Sequence, residues 1–249
     1  MKTIVSRQNP YIVATAKLKL QKERKKQQKF VAEGLRACKT IIDSDIELHT
    51  LFSTQTMLKQ AKKLASEEKI IVVSEAVMEK ISSAATPSGI LGLFKIPAEP
   101  SPNQLGPGTV LAKISNPGNM GTAIRSCAAF GFTSAVIVDG ADPWAPKVVQ
   151  ASAGTIANLH IFQWTWEKLI KSRGSLQLVA LVAKDGKKIN KINLKNSLLV
   201  VGGEAHGIPK EWTDKCDNKA TIEMPGKTES LNAAVAGSIA MFLAYKQSV

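Results

Sequence analysis

Residues 109–140 read TVLAKISNPGNMGTAIRSCAAFGFTSAVIVDG. TVLAKIS and SAVIVDG are short apolar runs that read as strands. Between them MGTAIRSCAAFG, entered through a Pro-Gly turn, reads as a helix. Strands separated by a helical segment imply a right-handed crossover, so the two strands are expected to be parallel.

The alternation continues downstream. PKVVQASAGTIANL reads as a helix, HIFQW as a strand, TWEKLIKSRG as a helix and LQLVALVA as a strand. SLLVVGG and KATIEM are further strands, and SLNAAVAGSIAMFLAYKQ is a closing helix. The fold class is α/β with a mainly parallel sheet, its functional site expected at the C-terminal ends of the strands. Upstream, IELHTLFST, IIVVS and GILGLFKI read as strands, with QTMLKQAKKLASEEK and EAVMEKISSAA as helices, giving a smaller α/β unit. PAEPSPNQLGPG, residues 97–108, holds four prolines and two glycines, a composition expected of a linker. The expected domains are therefore 1–96 and 109–249.

The chain has 249 residues, with 33 Lys+Arg against 20 Asp+Glu and a net charge of +13. Residues 1–40 carry eleven basic and two acidic groups, a local net of +9. VATAKLKLQKERKKQQKFVAEGLRACKTII has high helix propensity, so these charges are expected on a helix or helix pair. A solvated cationic face is the plain reading. The density of KERKKQQK favours a polyanion, RNA or DNA, because each neutralised phosphate releases condensed counterions. Arg7, Lys22, Arg24, Lys25, Lys26, Lys29 and Arg36 are the candidate contacts.

Other classes lose support. Cys38, Cys127 and Cys216 are scattered, odd in number and lack CxxC spacing, and His49, His160 and His206 lack metal-ligand spacing, so neither disulfide framework nor metal is expected. GxSxG and Walker loops are absent from the sequence. No apolar run reaches the roughly 18 residues of a membrane span, and a soluble cytoplasmic protein is expected.

Three segments break the apolar pattern after a strand. In NPGNMGTAIRSCAAFGF, residues 116–132, Asn119 precedes a small, apolar helix carrying Arg125. A guanidinium set against a core needs an anionic or planar partner, either a ligand or a structural ion pair. In LLVVGGEAHGIP, residues 198–209, Gly202 and Gly203 permit close backbone approach and Glu204 sits at the tip, as it would also in a tight hairpin. In IEMPGKTESLNAAVAGSIAMF, residues 222–242, Ser230 or Thr228 can cap the closing helix and Asn232 lies in its first turn. The small residues that follow suit close helix packing, within the domain or across a dimer interface.

These three segments, in this order, resemble the signature motifs of the SpoU (TrmH) family of RNA ribose 2′-O-methyltransferases, within the SPOUT superfamily. The amino-terminal SRQNPYIVATAKLKLQKERKKQQKFVAEGLRA looks like the family's substrate-binding domain, which resembles RNA-binding ribosomal proteins. The resemblance implies a C-terminal SPOUT domain with a deep trefoil knot, S-adenosylmethionine as cofactor and a homodimer through that domain. By motif position it implies cofactor contacts at Leu181, Gly202, Gly203, Glu204, Ile222, Met224, Leu231 and Asn232. Asn119, Arg125, Ser230 and Asn232 match the family's proposed catalytic positions. Where many members have Asp, this chain has Asn116, and Glu223 is a second departure from a small or apolar residue. Large-subunit (23S) ribosomal RNA is the expected substrate, with transfer RNA, or a non-catalytic RNA-binding protein on the same fold, as alternatives.

Overall fold

The computed structural model describes residues 2–203, 207–226 and 228–248, and its contacts divide the chain into two compact units. The first comprises Met1–Ala98 and Trp144–Ala157, the second Glu99–Pro143 and Asn158–Val249.

The first unit runs β1 (Lys2–Ile4), α1 (Pro10–Lys17), α2 (Gln21–Gln27), β2 (Lys29–Glu33), α3 (Leu35–Ile42), β3 (Leu48–Ser53), α4 (Leu58–Ala61), β4 (Ile70–Val73), α5 (Glu75–Ile81) and β5 (Ile90–Lys95). Its sheet has the order β1-β4-β3-β5-β2. β4 lies parallel to β1 and β3, whereas β5 is antiparallel to β3 and β2. Ile12, Leu18, Phe52, Val77, Met78 and Leu91 belong to its core.

Two expectations for this unit change. The basic stretch is a helix pair, α1 and α2, only as far as Gln27: Gln28, left-handed at φ 52°, ends α2 and the chain enters β2, with Arg36 and Lys39 on a third helix, α3. In β2 Phe30 and Val31 pair with Phe94 and Leu93 of β5, so burial overrides a helix-forming composition. QTMLKQAKKLASEEK is cut to the single α-helical turn of α4 and a 3-10 turn at Glu67–Lys69.

The second unit begins with β6 (Gly108–Ala112), α6 (Pro117–Ala129) and β7 (Ser134–Val138). The chain then enters the first unit as α7 (Pro146–Ala151), where Trp144 packs on Phe30 with ring centroids 4.8 Å apart. The expected helix 146–159 breaks at Ala153 and Gly154, both with positive φ. The second unit resumes with β8 (His160–Gln163), α8 (Trp166–Ser172), β9 (Gln177–Leu181), β10 (Lys187–Lys188), β11 (Ser197–Gly202), α9 (Lys210–Thr213), β12 (Asn218–Thr221) and α10 (Ala233–Ser248). Its sheet order is β10-β12-β9-β11-β6-β7-β8, and every pairing is parallel.

The Pro-rich segment is anchored rather than loose. The Glu99 carboxylate accepts from Trp164 Nε1 at 2.9 Å and Lys168 Nζ at 2.7 Å, and Ser101 and Gln104 form a capping box on a 3-10 turn. Leu105 packs against the core built on Val110, Val136, Phe162 and Val200. One carboxylate and one leucine supply what prolines and glycines do not.

Candidate functional site

A cavity of about 410 Å³ opens where β9, β11 and β12 end. Its wall combines Leu181–Ala183, Val201–Gly203 with Gly207, Ala220, Ile222 and Met224, and Ser230–Ala233 with Ala236. Strand ends in a parallel sheet leave backbone groups without a ladder partner, which is why such crevices bind ligands.

Of the eight expected cofactor contacts, seven line this cavity: Leu181, Gly202, Gly203, Ile222, Met224, Leu231 and Asn232. Glu204 lies outside the described residues. Sequence reasoning missed Val182, Ala183, Val201, Gly207, Ala220, Ala233 and Ala236. Val182, Val201 and Ala233 adjoin an expected residue in sequence and the others do not, and small apolar residues carry no chemical signal of their own.

Two glycines shape the wall. A Cβ on Gly202 would collide with the Gly207 carbonyl carbon, and one on Gly203 would lie 2.5 Å from the Lys113 carbonyl oxygen. Lys113, at φ 56°, turns the chain at the end of β6 and thereby presents that carbonyl.

The catalytic candidates fall into two groups. Asn119, in the first turn of α6, is half-buried, and its Oδ1 accepts from Asn232 Nδ2 at 3.2 Å. Asn232 Oδ1 in turn accepts from the Ala234 and Val235 amides at 3.0 and 3.3 Å. The cap of α10 is therefore Asn232 and not Ser230 or Thr228. Ser230 is exposed and lines the cavity. Arg125 is exposed on α6 rather than set against the core, and among the described residues it has no ion pair.

Asn116, the departure from Asp, caps α6: its Oδ1 accepts from the Gly118 and Asn119 amides at 2.8 and 3.2 Å. An amide oxygen meets this need as a carboxylate would. Glu223, the other departure, pairs with Lys188 at 2.6 Å. Cys127 is no nucleophile, because burial pushes its thiol up to about 12. Among the described residues no group of three His, Cys, Asp or Glu could hold a metal, and no helix is long and apolar enough to cross a membrane.

In the first unit Arg7, Lys22, Lys25, Lys26 and Arg36 are exposed and Lys29 is half-buried. Arg24 is 3% exposed, and its Nη1 donates to the carbonyls of Leu18 at 2.6 Å and Lys19 at 3.0 Å. These carbonyls follow the end of α1 and have no helical partner, so the guanidinium closes that helix instead of facing a ligand.

A parallel sheet with a glycine-walled cavity at its strand ends and a polar pair beside it defines the ligand-binding crevice of an α/β protein. Residues 108–242 match the SpoU rRNA Methylase family and residues 9–92 the MRM3-like substrate binding domain. The chain belongs to the SpoU rRNA methylase family. It is 26% identical to the uncharacterized tRNA/rRNA methyltransferase slr1673 of Synechocystis, over 98% of this chain and 94% of that protein. It is 25% identical to the 23S rRNA (guanosine(2553)-2′-O)-methyltransferase RlmP of Bacillus subtilis, over 97% and 98% of the two chains. Among solved structures, the AdoMet-bound rRNA methyltransferase from Sinorhizobium meliloti superposes with a TM-score of 0.87 at 27% identity, over 100% and 98% of the two chains.

Proposed function

We propose that this protein transfers a methyl group from S-adenosylmethionine to a ribose 2′-hydroxyl of large-subunit ribosomal RNA in the cytoplasm. The observation that carries the reading is the cavity, in which seven family cofactor positions from three separated segments share one wall. The cofactor fits this lining: Leu181, Ile222, Met224 and Leu231 offer apolar surface, while Gly202 and Gly203 leave backbone open to close approach. When bound it supplies an electrophilic methyl group on a sulfonium.

The chain's own residues position the acceptor. Asn119 and Asn232 form a fixed polar pair at the cavity's edge, and Ser230 adds a hydroxyl. Arg125 holds the phosphate next to the target ribose and stabilises negative charge developing on the 2′-oxygen. It does not take the proton, because a guanidinium has a pKa above about 12. Proton loss goes to phosphate or water.

A homodimer through the second unit belongs to the same reading. On α10 Val235, Phe242 and Tyr245 are 46%, 45% and 42% exposed, while Ala234, Ala240 and Met241 on other faces are buried. A helix apolar all round requires cover on both sides, and a second copy provides it. The trefoil knot is supported by the meeting of segments 181–183, 201–203 with Gly207, and Ala220–Met224 with Ser230–Ala236 around one cavity. The exposed cations of the first unit, Arg7, Lys22, Lys25, Lys26 and Arg36, with Lys29, dock the RNA.

Calorimetry with S-adenosylmethionine, followed by labelled methyl transfer into deproteinised 23S rRNA and into transfer RNA, tests the reading. Binding heat and a 2′-O-methyl mark in 23S rRNA are expected. Absence of heat defeats the enzyme assignment, and a mark confined to transfer RNA defeats the substrate.

A further inference from the structure

The segment AKDGKKINKINLKN, residues 183–196, belongs to neither the cavity's signature motifs nor the amino-terminal charge. Residues 184–195 hold five lysines against one aspartate, a net of +4. After residue 40 the chain carries 22 basic and 18 acidic groups, also a net of +4. The entire cationic excess of that portion is thus concentrated in one short segment, and the rest is neutral.

The fold holds this segment firmly. Ile189, Ile192 and Leu194 are buried. Gln247 of α10 clamps the backbone at two points: its Oε1 accepts from the Leu194 amide at 2.8 Å and its Nε2 donates to the Ile192 carbonyl at 3.0 Å. Alternating with these anchors, Lys184, Lys187, Lys188, Lys191 and Lys195 are all exposed. Of these five lysines only Lys188 has an ion pair among the described residues, with Glu223.

The segment also begins at the cavity. Leu181, Val182 and Ala183 line the wall and Lys184 follows directly. On β10, Lys188 pairs in register with Thr221, and the next residue, Ile222, lines the wall again. Lysines on an edge strand deter strand addition by other chains. That accounts for Lys187 and Lys188, but Lys184, Lys191 and Lys195 lie off the strand.

We propose that Lys184, Lys187, Lys191 and Lys195 form a second phosphate-binding surface, a track for the RNA backbone that starts at Lys184 beside the cavity and runs to Lys195, two residues before Ser197, which pairs with Gln177 at the other end of β9. Ammonium groups held this densely on an ordered backbone repel one another, and a polyanion relieves the repulsion while releasing its counterions. The inference rests on the RNA substrate proposed above. It assigns the second unit its own grip on the strand, separate from the cations of the first unit.

The test compares wild type with the quadruple variant K184A/K187A/K191A/K195A and with the same positions changed to Arg. Binding to deproteinised ribosomal RNA and to a 20-nucleotide single-stranded RNA is measured across a salt series. The alanine variant is expected to lose at least about tenfold in RNA affinity near 0.1 M salt and to flatten the slope of log K against log salt by about 3. The arginine variant is expected to keep both, and calorimetric affinity for S-adenosylmethionine to stay level in both. Unchanged RNA affinity and slope in the alanine variant overturn the surface while leaving the proposed function intact. A wild-type chain that binds no RNA overturns both.

Discussion

Asn232 Nδ2 donates to Asn119 Oδ1 at 3.2 Å across 113 residues of sequence, while Asn232 Oδ1 caps α10. One side chain thus has two separable tasks. Asn232→Ala removes both and is expected to cost about 1 kcal/mol of stability, a typical cap loss, together with methyl transfer. Asn232→Asp keeps the capping oxygen and deletes the amide donor. It is expected to hold the wild-type melting temperature and to lose turnover, measured by thermal denaturation alongside single-turnover methylation.

Arg125 has no ion pair among the described residues, which leaves its guanidinium available to substrate. Arg125→Lys keeps the charge but not the planar two-point fork. An approximately hundredfold fall in kcat/KM is expected, with unchanged calorimetric affinity for S-adenosylmethionine, if positioning is the role. Near-normal turnover in the lysine variant counts against the fork.

Neighbouring charges in KERKKQQK do different work. Arg24→Ala strands the carbonyls of Leu18 and Lys19 and is expected to destabilise the first unit by about 1–3 kcal/mol. The triple variant K22A/K25A/K26A changes only exposed groups. It is expected to leave the melting temperature within about a degree while reducing the slope of log K against log salt for RNA by about 2–3. Melting curves and salt-dependent binding on the two variants separate the roles.

The sequence disclosed these features unevenly. β6, α6 and β7 were legible because apolar runs and a Pro-Gly entry all favour the same elements. β2 was not, since KFVAE has helix-forming composition and only its antiparallel partner, Phe94 to Leu91 on β5, makes it a strand. Gln28 takes a left-handed conformation without the glycine that would announce it. Seven cavity positions were legible through motif resemblance, whereas the cap of α10 was not, because Ser230, Thr228 and Asn232 are all capping residue types. Only the folded chain shows which oxygen meets the amides of Ala234 and Val235. The buried Arg24 was likewise hidden, since nothing in a run of cations distinguishes the one that turns inward.

The glycines of the wall differ in what substitution would meet. Gly202 and Gly203 face backbone atoms that cannot yield, whereas a Cβ on Gly207 meets nothing within 4 Å and faces only its positive φ of 63°. Gly202→Ala and Gly203→Ala are expected to abolish calorimetric binding of S-adenosylmethionine. Gly207→Ala is expected to cost about 1 kcal/mol of backbone strain and weaken binding no more than tenfold. Equal losses at all three positions would contradict a wall set by backbone contact.

All three thiols are held protonated in the folded chain. Burial pushes Cys38, Cys127 and Cys216 each up to about 12, against roughly 8.5 for a free cysteine in the unfolded chain. A thiol whose folded pKa is raised stabilises the fold fully below the unfolded value. That contribution is lost between about pH 8.5 and 12, because only the unfolded chain gains by ionising there. The melting temperature is therefore expected to fall across this window, and to fall less in Cys38→Ser than in wild type once their neutral-pH values are matched. A disulfide-exchange reagent at pH 8 should label Cys216, which is half-buried, before Cys38 and Cys127, which react only after denaturant is added. Rapid labelling of Cys127 in the native protein would mean that α6 opens away from the sheet and would undo the assignment of Cys127 as a packed, unreactive side chain.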